Sequence, residues 1–434
     1  MDWPRNLRSC VFFALMSFVS PQTRAAERPM EPRSLDFQSV LQRVRQASLS
    51  VARNDQLQKS SEFSRAAVAQ QSYPTLQWGE TLGYQKSLGA KQLHAISLSA
   101  TLWDFGRQAA LDLKAQAQVE LARAQWQEND DLLKLRTARY YVGLASAESI
   151  FALSLEQLRN AESKLQTVIA AYKRGERPET DVIKLKVELG KAQLFFNKSK
   201  EELAALTAQL YLATNSTAQN LPNQLVMRIQ PLPERSEQQW ATFFERWFAS
   251  SIDSSVSSLA RIAANKASLQ AELKSLDADN TPLIAAGATL QGVGQLQPVK
   301  PDVLAQLNLQ YALPLSATRA NKRDALLARL KENELAYDED MKTRRDKRLQ
   351  TQVVTDGLLR TIDLQKRQIS SLLEYQKMMR NRYFSGRASL LELTSTEDDL
   401  LANKLELTRL NASLYSAAID AAESLGGKNL EALF

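Results

Sequence analysis

The 434-residue chain contains an internal duplication, with a constant offset of 211 residues through its best-matched stretch. An alternating apolar segment ends at Leu102 in the first copy and at Leu313 in the second. Seventy residues later each copy carries a Tyr-x-x-Gly motif, followed by an acid: 172–175 with Asp181, and 383–386 with Glu392. Because surface loops tolerate insertions at little cost, two copies of equal length indicate a common height that both must span.

Composition excludes most enzyme chemistry. The chain has one histidine, His94, and one cysteine, Cys10. A zinc site, a Ser-His-Asp or Cys-His pair and a disulfide framework all need residues that this chain lacks. Acidic pairs occur, but they fall on helical faces, where solvated charge is the simpler interpretation. We therefore predict that the protein is not an enzyme, with no catalytic residue, no cofactor and no metal site.

Residues 1–25 resemble a secretory signal peptide. Arg5 and Arg8 precede an apolar core at 11–19, and a small-residue cleavage point follows at Ala25. The core is too short to span a membrane as a helix, and no later segment has about twenty uninterrupted apolar residues. Cleavage would remove three arginines and one aspartate, which lowers the formal net charge from +7 to +5. This weak, dispersed charge on an exported chain argues against nucleic-acid binding.

Two stretches of about seventy residues are predicted to form very long helices. Proline is absent from 75–177 and from 315–434. Within these regions, good helix formers such as Ala, Leu, Gln, Glu and Lys fill residues 104–172 and 315–385. At 1.5 Å per residue, a helix of this length is on the order of 100 Å long. Such a helix is typical of a coiled coil or a helical barrel.

The return helices place a seam residue at alternating spacings of three and four, which predicts a left-handed supercoil. Two seam positions of the second copy, Thr396 and Asn403, are polar, and they are either tolerated imperfections or devices that set the register. The predicted seam consists of Val182, Leu185, Leu189, Ala192, Phe196, Ser199, Leu203, Leu206 and Leu210, and of Leu393, Thr396, Leu400, Asn403, Leu407, Leu410, Leu414, Ala417 and Ala421.

Period-two alternation before each long helix predicts two β-hairpins, at 75–103 and 283–313. One face of each strand is apolar and the other is small or polar, as in a strand with lipid on one side and water on the other. A half-buried sheet in a soluble domain would show the same alternation. The aromatic residues available for a membrane girdle are Trp78, Tyr84, Trp103, Phe105 and Tyr311.

The number of strands constrains the assembly. Strands span a membrane only as a closed barrel, because open edges leave backbone groups unpaired in lipid. Four strands cannot close, and the smallest common barrels have eight. We therefore expect other copies of the chain to complete the barrel, and three copies would supply twelve strands.

The order of these features resembles the TolC family of outer-membrane efflux and secretion channels. The residues that carry the resemblance are 74–76, 102–107 and the two tip motifs with their acids, in an order that covers nearly the whole chain after the signal peptide. The resemblance implies a mainly α fold with a small β part. In it, internally duplicated long helical hairpins form a trimeric α-barrel, and four strands per chain contribute to a shared 12-stranded transmembrane β-barrel.

The resemblance also implies partners and a location. The protein would be a homotrimer in the lipid of a Gram-negative outer membrane, with most of its mass in the periplasm. It would dock through a periplasmic adaptor (membrane fusion) protein onto an inner-membrane pump. Its function would be that of an exit duct in a tripartite efflux pump or a type I secretion system, through which substrate passes unaltered.

The predicted domain organisation follows the duplication. A signal peptide (1–25) precedes a first repeat (26–214), and a second repeat (237–434) follows a joining segment (215–236) that forms a belt in the family. The hairpin tips are predicted near 172–180 and 383–391.

The tips carry the candidate site residues. At the turns, Gly175 and Gly386 are expected to adopt positive φ, and Tyr172 and Tyr383 to pack. The resemblance assigns these four residues to adaptor docking.

The resemblance also places a periplasmic gate at the tips. Asp181 matches the gate aspartate of the family and Tyr383 its gate tyrosine, while the gate arginine falls on Ala388. Arg387, one place earlier, is therefore the candidate third member of the gate. Glu392 matches an acidic ring that narrows the pore, and a ring of carboxylates favours cations.

A non-pore periplasmic coiled-coil scaffold or adaptor is the alternative function. Adaptors usually carry one long helical hairpin flanked by soluble β domains, and they do not repeat the whole unit. The four alternating strands therefore favour the duct. The substrate leaves no recognisable trace in the sequence of a water-filled duct.

Overall fold

The computed structural model describes residues 35–71, 73–85, 89–214, 229–250, 256–294, 302–310, 318–427 and 430–434, and the side chains at 80–94, 291–294 and 302 fall outside that description. Several predictions therefore lie outside the described residues: the signal peptide 1–25, most of the joining segment 215–236, the hairpin turns, Tyr311 and the side chains of Tyr84 and His94.

The described chain is mainly helical with a small sheet, which confirms the predicted fold class. A short 3₁₀ helix, Leu430–Leu433, follows the last α-helix. In chain order the elements are α1 Phe37–Ala47, α2 Leu49–Gln70, β1 Thr75–Gln85, β2 Gly89–Trp103, α3 Arg107–Lys173, α4 Glu179–Thr214, α5 Glu237–Ala249, α6 Ser257–Ala278, β3 Leu283–Gly294, β4 Asp302–Gln310, α7 Thr318–Phe384 and α8 Leu390–Ser424.

The duplication is visible in the lengths of the helices. Helices α3 and α7 both have 67 residues and begin 211 residues apart, at Arg107 and Thr318. Helices α2 and α6 both have 22 residues and begin 208 residues apart, at Leu49 and Ser257. The second copy therefore has three more residues between its short helix and its long helix.

The four strands form one antiparallel sheet in the order β1-β2-β3-β4, so β2 and β3 join the two repeats. The two hairpins share one register, because Leu76 pairs with Leu98 and its equivalent, Ile284, pairs with Leu309. The equivalence continues as far as the last pair of β3 and β4. The three extra residues of the second copy therefore lie beyond that pair, at the turn end of its hairpin.

A compact turn starts α3. Gly106 has a φ of 88°, which disfavours a residue with a Cβ atom. The Asp104 carboxylate accepts hydrogen bonds from the backbone N–H of Gly106 at 3.1 Å and of Gln108 at 2.7 Å. The side chain thus satisfies a donor in the first turn of the helix, where no carbonyl is available.

The long helices pack as hairpins, α3 against α4 and α7 against α8. Every predicted seam residue of α4 and α8 is buried or half-buried, which confirms the heptad. None of the described helices is long and apolar enough to cross a membrane.

The main apolar core lies around the middle of the long helices, where α1, α5 and the 3₁₀ helix pack onto them. Leu35 and Ile229 form an isolated parallel bridge there. The Tyr141 hydroxyl donates to the carbonyl of Gln230, and the Tyr415 hydroxyl donates to that of Pro233. The described end of the joining segment is therefore fastened across the middle of the hairpins.

Candidate functional site

One face of the sheet is apolar across all four strands. Paired residues of neighbouring strands share a face, and the register aligns Trp78, Ile96, Leu290 and Val303 in one row, with Leu76, Leu98, Ala288 and Ala305 in the next. Trp78 is 68% exposed and Leu307, further along the same face, is 70% exposed. The sheet thus presents a continuous apolar surface to its surroundings.

The opposite face of the sheet is mostly small and polar. Thr75, Ser99, Gly287 and Gln306 form one row across the strands. The hydroxyls of Thr75 and Ser99 are 2.7 Å apart and share a hydrogen bond. Leu304 is an apolar exception on this face. The two faces therefore differ in the way that a lipid-facing and a water-facing surface differ.

The end of the sheet nearest the long helices carries exposed aromatic residues. Trp103 and Phe105 have ring centroids 6.0 Å apart, and both side chains are exposed. Together with Trp78 they are the members of the predicted girdle whose side chains the structure describes.

Far from the sheet, each helical hairpin reverses through a Schellman motif. In this helix end a residue with left-handed backbone conformation follows the helix, and two backbone N–H groups bond to carbonyls of the last turn. Gly175 has a φ of 74° and donates its N–H to the carbonyl of Tyr172, while Glu176 donates to that of Ala171. The positive φ expected for this glycine is confirmed.

The second tip repeats the same bonds. Gly386 has a φ of 75° and donates to the carbonyl of Tyr383, while Arg387 donates to that of Arg382. The glycine of the Tyr-x-x-Gly motif thus has a structural basis in both copies, whereas the tyrosine contributes only its backbone carbonyl to these bonds.

The two tip tyrosines differ in environment. Tyr383 is only 2% exposed and packs with apolar side chains of both hairpins, namely Val168, Val182, Leu185, Met379, Leu390 and Leu393. Tyr172 is 42% exposed. The prediction that both tyrosines pack is therefore wrong for Tyr172, because the second hairpin covers the first at Val168 and Leu185 and leaves the ring of Tyr172 outside that contact.

Arg177, in the turn of the first hairpin, covers the ring of Tyr383. Its guanidinium carbon lies 4.1 Å from the ring centroid, which is a cation–π contact. Its Nη2 donates to the backbone carbonyl of the same tyrosine. Nothing in the local sequence of the turn indicates that Arg177 contacts a residue 206 positions away.

The predicted gate partners Asp181 and Tyr383 lie near each other. Burial raises the pKa of the Tyr383 hydroxyl; the Asp181 carboxylate raises it further, and Arg177 acts in the opposite direction. Among the described residues, however, the Tyr383 hydroxyl has no partner at hydrogen-bonding distance and angle. The Asp181 carboxylate therefore lies close enough to influence this hydroxyl without forming a well-aligned hydrogen bond to it.

Arg387 stays apart from this group. Its side chain is exposed, and within the described part of the chain it makes no hydrogen bond or ion pair. Ala388, to which the resemblance assigned the position of the gate arginine, packs against the apolar cluster around Tyr383.

Glu392 occupies the first turn of α8, where it forms a capping box with Ser389. The Ser389 N–H donates to the Glu392 carboxylate at 2.8 Å, and the Glu392 N–H donates to the Ser389 hydroxyl at 3.3 Å. The Ser-x-x-Glu spacing is a sequence signal for this arrangement, although Glu392 was predicted as a pore residue and not as a helix cap. The carboxylate itself remains exposed.

Charged side chains also join the hairpins, closer to the middle of the molecule. Lys164 of α3 pairs with Glu397 of α8, and both are largely buried. Glu188, Asp398 and Arg380 line the same cavity of about 330 Å³. Burial lowers the pKa of the Lys164 ammonium group and raises that of the Glu188 carboxyl. Within the described residues, no cluster of His, Cys, Asp and Glu is arranged to hold a metal ion.

Solved structures share this arrangement of sheet and hairpins. The outer membrane protein VceC of Vibrio cholerae matches with a TM-score of 0.72 at 13% identity, over 90% of this chain and 96% of that chain. This chain therefore shares the fold of that protein. The Campylobacter jejuni CmeC outer membrane channel matches at 0.71 and 11% identity, over 90% and 85%. The open state of the Neisseria gonorrhoeae MtrE outer membrane channel matches at 0.69 and 14%, over 91% and 89%.

No family model and no curated protein matches the chain. At such low identity the solved structures establish the fold alone. The chain fold that the resemblance implied, long helical hairpins with a small four-stranded sheet, is confirmed, whereas the trimer and the closed barrel remain predictions.

Proposed function

We propose that the protein is the outer-membrane exit duct of a tripartite efflux pump or a type I secretion system. The observation that carries the proposal is the sheet. Its apolar face is exposed across four strands, and it stands at one end of two helical hairpins whose long helices, at 67 residues, are on the order of 100 Å long.

The edges of the sheet support assembly from several copies. The strand order begins with β1 and ends with β4, so each of these strands has one side without a neighbour in the described sheet. An open edge in lipid leaves backbone N–H and C=O groups unpaired, at a cost of several kcal/mol each. Pairing β4 of one copy with β1 of the next removes the edges, and a homotrimer closes with twelve strands.

The helices also leave apolar surface for neighbouring copies. Phe63 of α2, Leu194 of α4 and Val353 of α7 are each more than 70% exposed. In a homotrimer these helices lie side by side and cover one another, with most of the mass in the periplasm and the strands in outer-membrane lipid.

The tips are the end remote from the membrane, and there the duct is proposed to meet a periplasmic adaptor and, through it, an inner-membrane pump. Tyr172, Gly175, Tyr383 and Gly386 form the docking turns. Asp181 and Tyr383 belong to a gate that closes the entrance, and three copies of Glu392 form an acidic ring. Substrate passes without chemical change, so no catalytic group is required.

The native mass of the protein, extracted in mild detergent from the outer-membrane fraction, tests the function. A species of three chains that conducts ions in a planar lipid bilayer is the expected result. A monomer, or recovery from the soluble periplasm, would leave four strands with open edges and would favour the non-pore scaffold or adaptor instead.

A further inference from the structure

We propose that Arg177 is the cation that latches the two hairpin tips of each copy together and so keeps the entrance of the duct closed. The inference rests on the proposed function, since a latch has a purpose only if the tips surround an entrance.

Arg177 holds the side chain and the main chain of one residue at the same time. Its guanidinium stacks on the Tyr383 ring at 4.1 Å, and one of its N–H groups binds the Tyr383 carbonyl. That carbonyl already accepts the N–H of Gly386 at 3.0 Å and lies at the C-terminal end of α7. The negative end of the helix dipole strengthens the attraction for a cation there.

The contact joins the two repeats. Arg177 precedes α4 in the first hairpin, whereas Tyr383 lies in the last turn of α7 in the second. Separating the tips breaks the cation–π contact and the hydrogen bond together. The planar guanidinium is suited to making both contacts at once, because it stacks with its face and donates from its edge.

Arg387, the charged residue next to Gly386 in the second tip, does not make this contact. The Arg387 side chain is exposed, and within the described residues it bonds to nothing. Alanine stands next to it, at position 388. The second hairpin therefore contributes the aromatic ring and the carbonyl, and the first hairpin contributes the cation.

Single-channel recordings of Arg177→Gln in a planar lipid bilayer test the latch, and the measured quantity is the ratio of open to closed time. Losing a cation–π contact and a charge-assisted hydrogen bond is expected to raise the open-to-closed ratio about tenfold. Arg177→Lys keeps the charge and loses the planar fork, so an intermediate ratio is expected.

Arg174→Gln is the matched control. Arg174 lies in the same turn, its side chain is 61% exposed, and it pairs with Glu176 of its own turn at 2.7 Å. The Arg174→Gln protein should have the same open-to-closed ratio as the wild-type protein. Native mass should stay constant in all three variants, which separates opening of the entrance from loss of the assembly.

The outcomes separate the latch from the duct. A trimeric Arg177→Gln protein that conducts like the wild type would overturn the latch and leave the duct standing. An equal rise in Arg174→Gln would overturn it as well, since any loss of tip charge would then suffice. If neither the wild-type protein nor any of the variants forms a channel, the proposed function itself is refuted. If Arg177→Gln does not assemble, Arg177→Lys decides by the same comparison.

Discussion

At the scale of single residues, the structural role of Glu392 can be separated from its proposed role in the pore. Its carboxylate completes the capping box at the start of α8, through the N–H of Ser389, and its exposure leaves the charge available to a pore. A side-chain amide accepts the same hydrogen bond, because glutamine also serves in capping boxes. Substitution by glutamine therefore removes the charge without removing the cap.

Glu392→Gln is expected to reduce the cation preference of the channel and to leave its thermal midpoint unchanged. Reversal potentials measured across a salt gradient report the preference, and Glu392→Ala serves as the comparison that loses both roles, with a destabilisation of about 1 kcal/mol. Cation preference that survives in the glutamine variant would remove the acidic ring from the mechanism.

Gly386→Ala is expected to destabilise the protein by about 1 kcal/mol, because a Cβ atom is strained at a φ of 75°. The control is Gly357→Ala in the interior of α7, where no atom lies within 4 Å of an added Cβ. That change should stabilise by about 0.5 kcal/mol, since alanine is the better helix former. Thermal midpoints in the same detergent compare the two, and a shift of the same sign in both would contradict the prediction.

At the scale of elements, polar pairs cross each helical hairpin. Ser154 bonds to Ser199 in the first hairpin, and Gln365 donates to the side chain of Asn403 in the second, both at 2.7 Å. Thr396 donates to a carbonyl of its own helix instead. Of the two polar seam residues of the second copy, Asn403 is thus engaged across the hairpin, as a register device requires, and Thr396 is not.

Ser154→Ala is expected to cost about 1 kcal/mol, because both hydroxyls are buried and each completes the hydrogen bonding of the other. The double change with Ser199→Ala should cost little more than the single one, since contacting residues are not additive. A thermal double-mutant cycle measures the coupling, and strict additivity would mean that the pair contributes nothing to hairpin alignment.

At the scale of the whole molecule, the two faces of the sheet require different surroundings, one apolar and one polar. Adjacent residues of β4 point to opposite faces, so Leu307 belongs to the apolar surface and Gln306 to the polar one. Both lie in the same strand, and a charge introduced at either position differs only in the face that carries it.

Leu307→Lys is expected to prevent assembly into the membrane, because a lysine on the lipid face of a barrel costs about 2 kcal/mol or more in each copy. Gln306→Lys should insert normally, because position 306 lies on the polar face of the sheet, which the proposed duct turns toward water. The amount of trimer in the outer-membrane fraction measures both variants. Equal recovery of the two would show that the apolar face does not meet lipid.

Much of the fold was predictable because it is periodic. The heptad at Leu185 and Leu400, the alternation at Trp78 and Leu307, and the tip glycines all act within one element, so spacing alone reveals them. The resemblance paired Asp181 with Tyr383, and the two side chains lie near each other, while the gate itself stays a prediction. It offered Arg387 as their partner, and within one chain that side chain lies elsewhere.

The sequence by itself determined the length of each repeat, the buried seam of each hairpin and the two faces of the sheet, since burial follows the period of the chain. Only the tertiary structure decided that β2 pairs with β3, that Tyr383 is buried while Tyr172 is exposed, and that Arg177 covers Tyr383. These contacts depend on how two hairpins rotate and slide against each other. That geometry is set by the summed packing of both, including the cluster around Val168 and Leu393, and no local pattern encodes it.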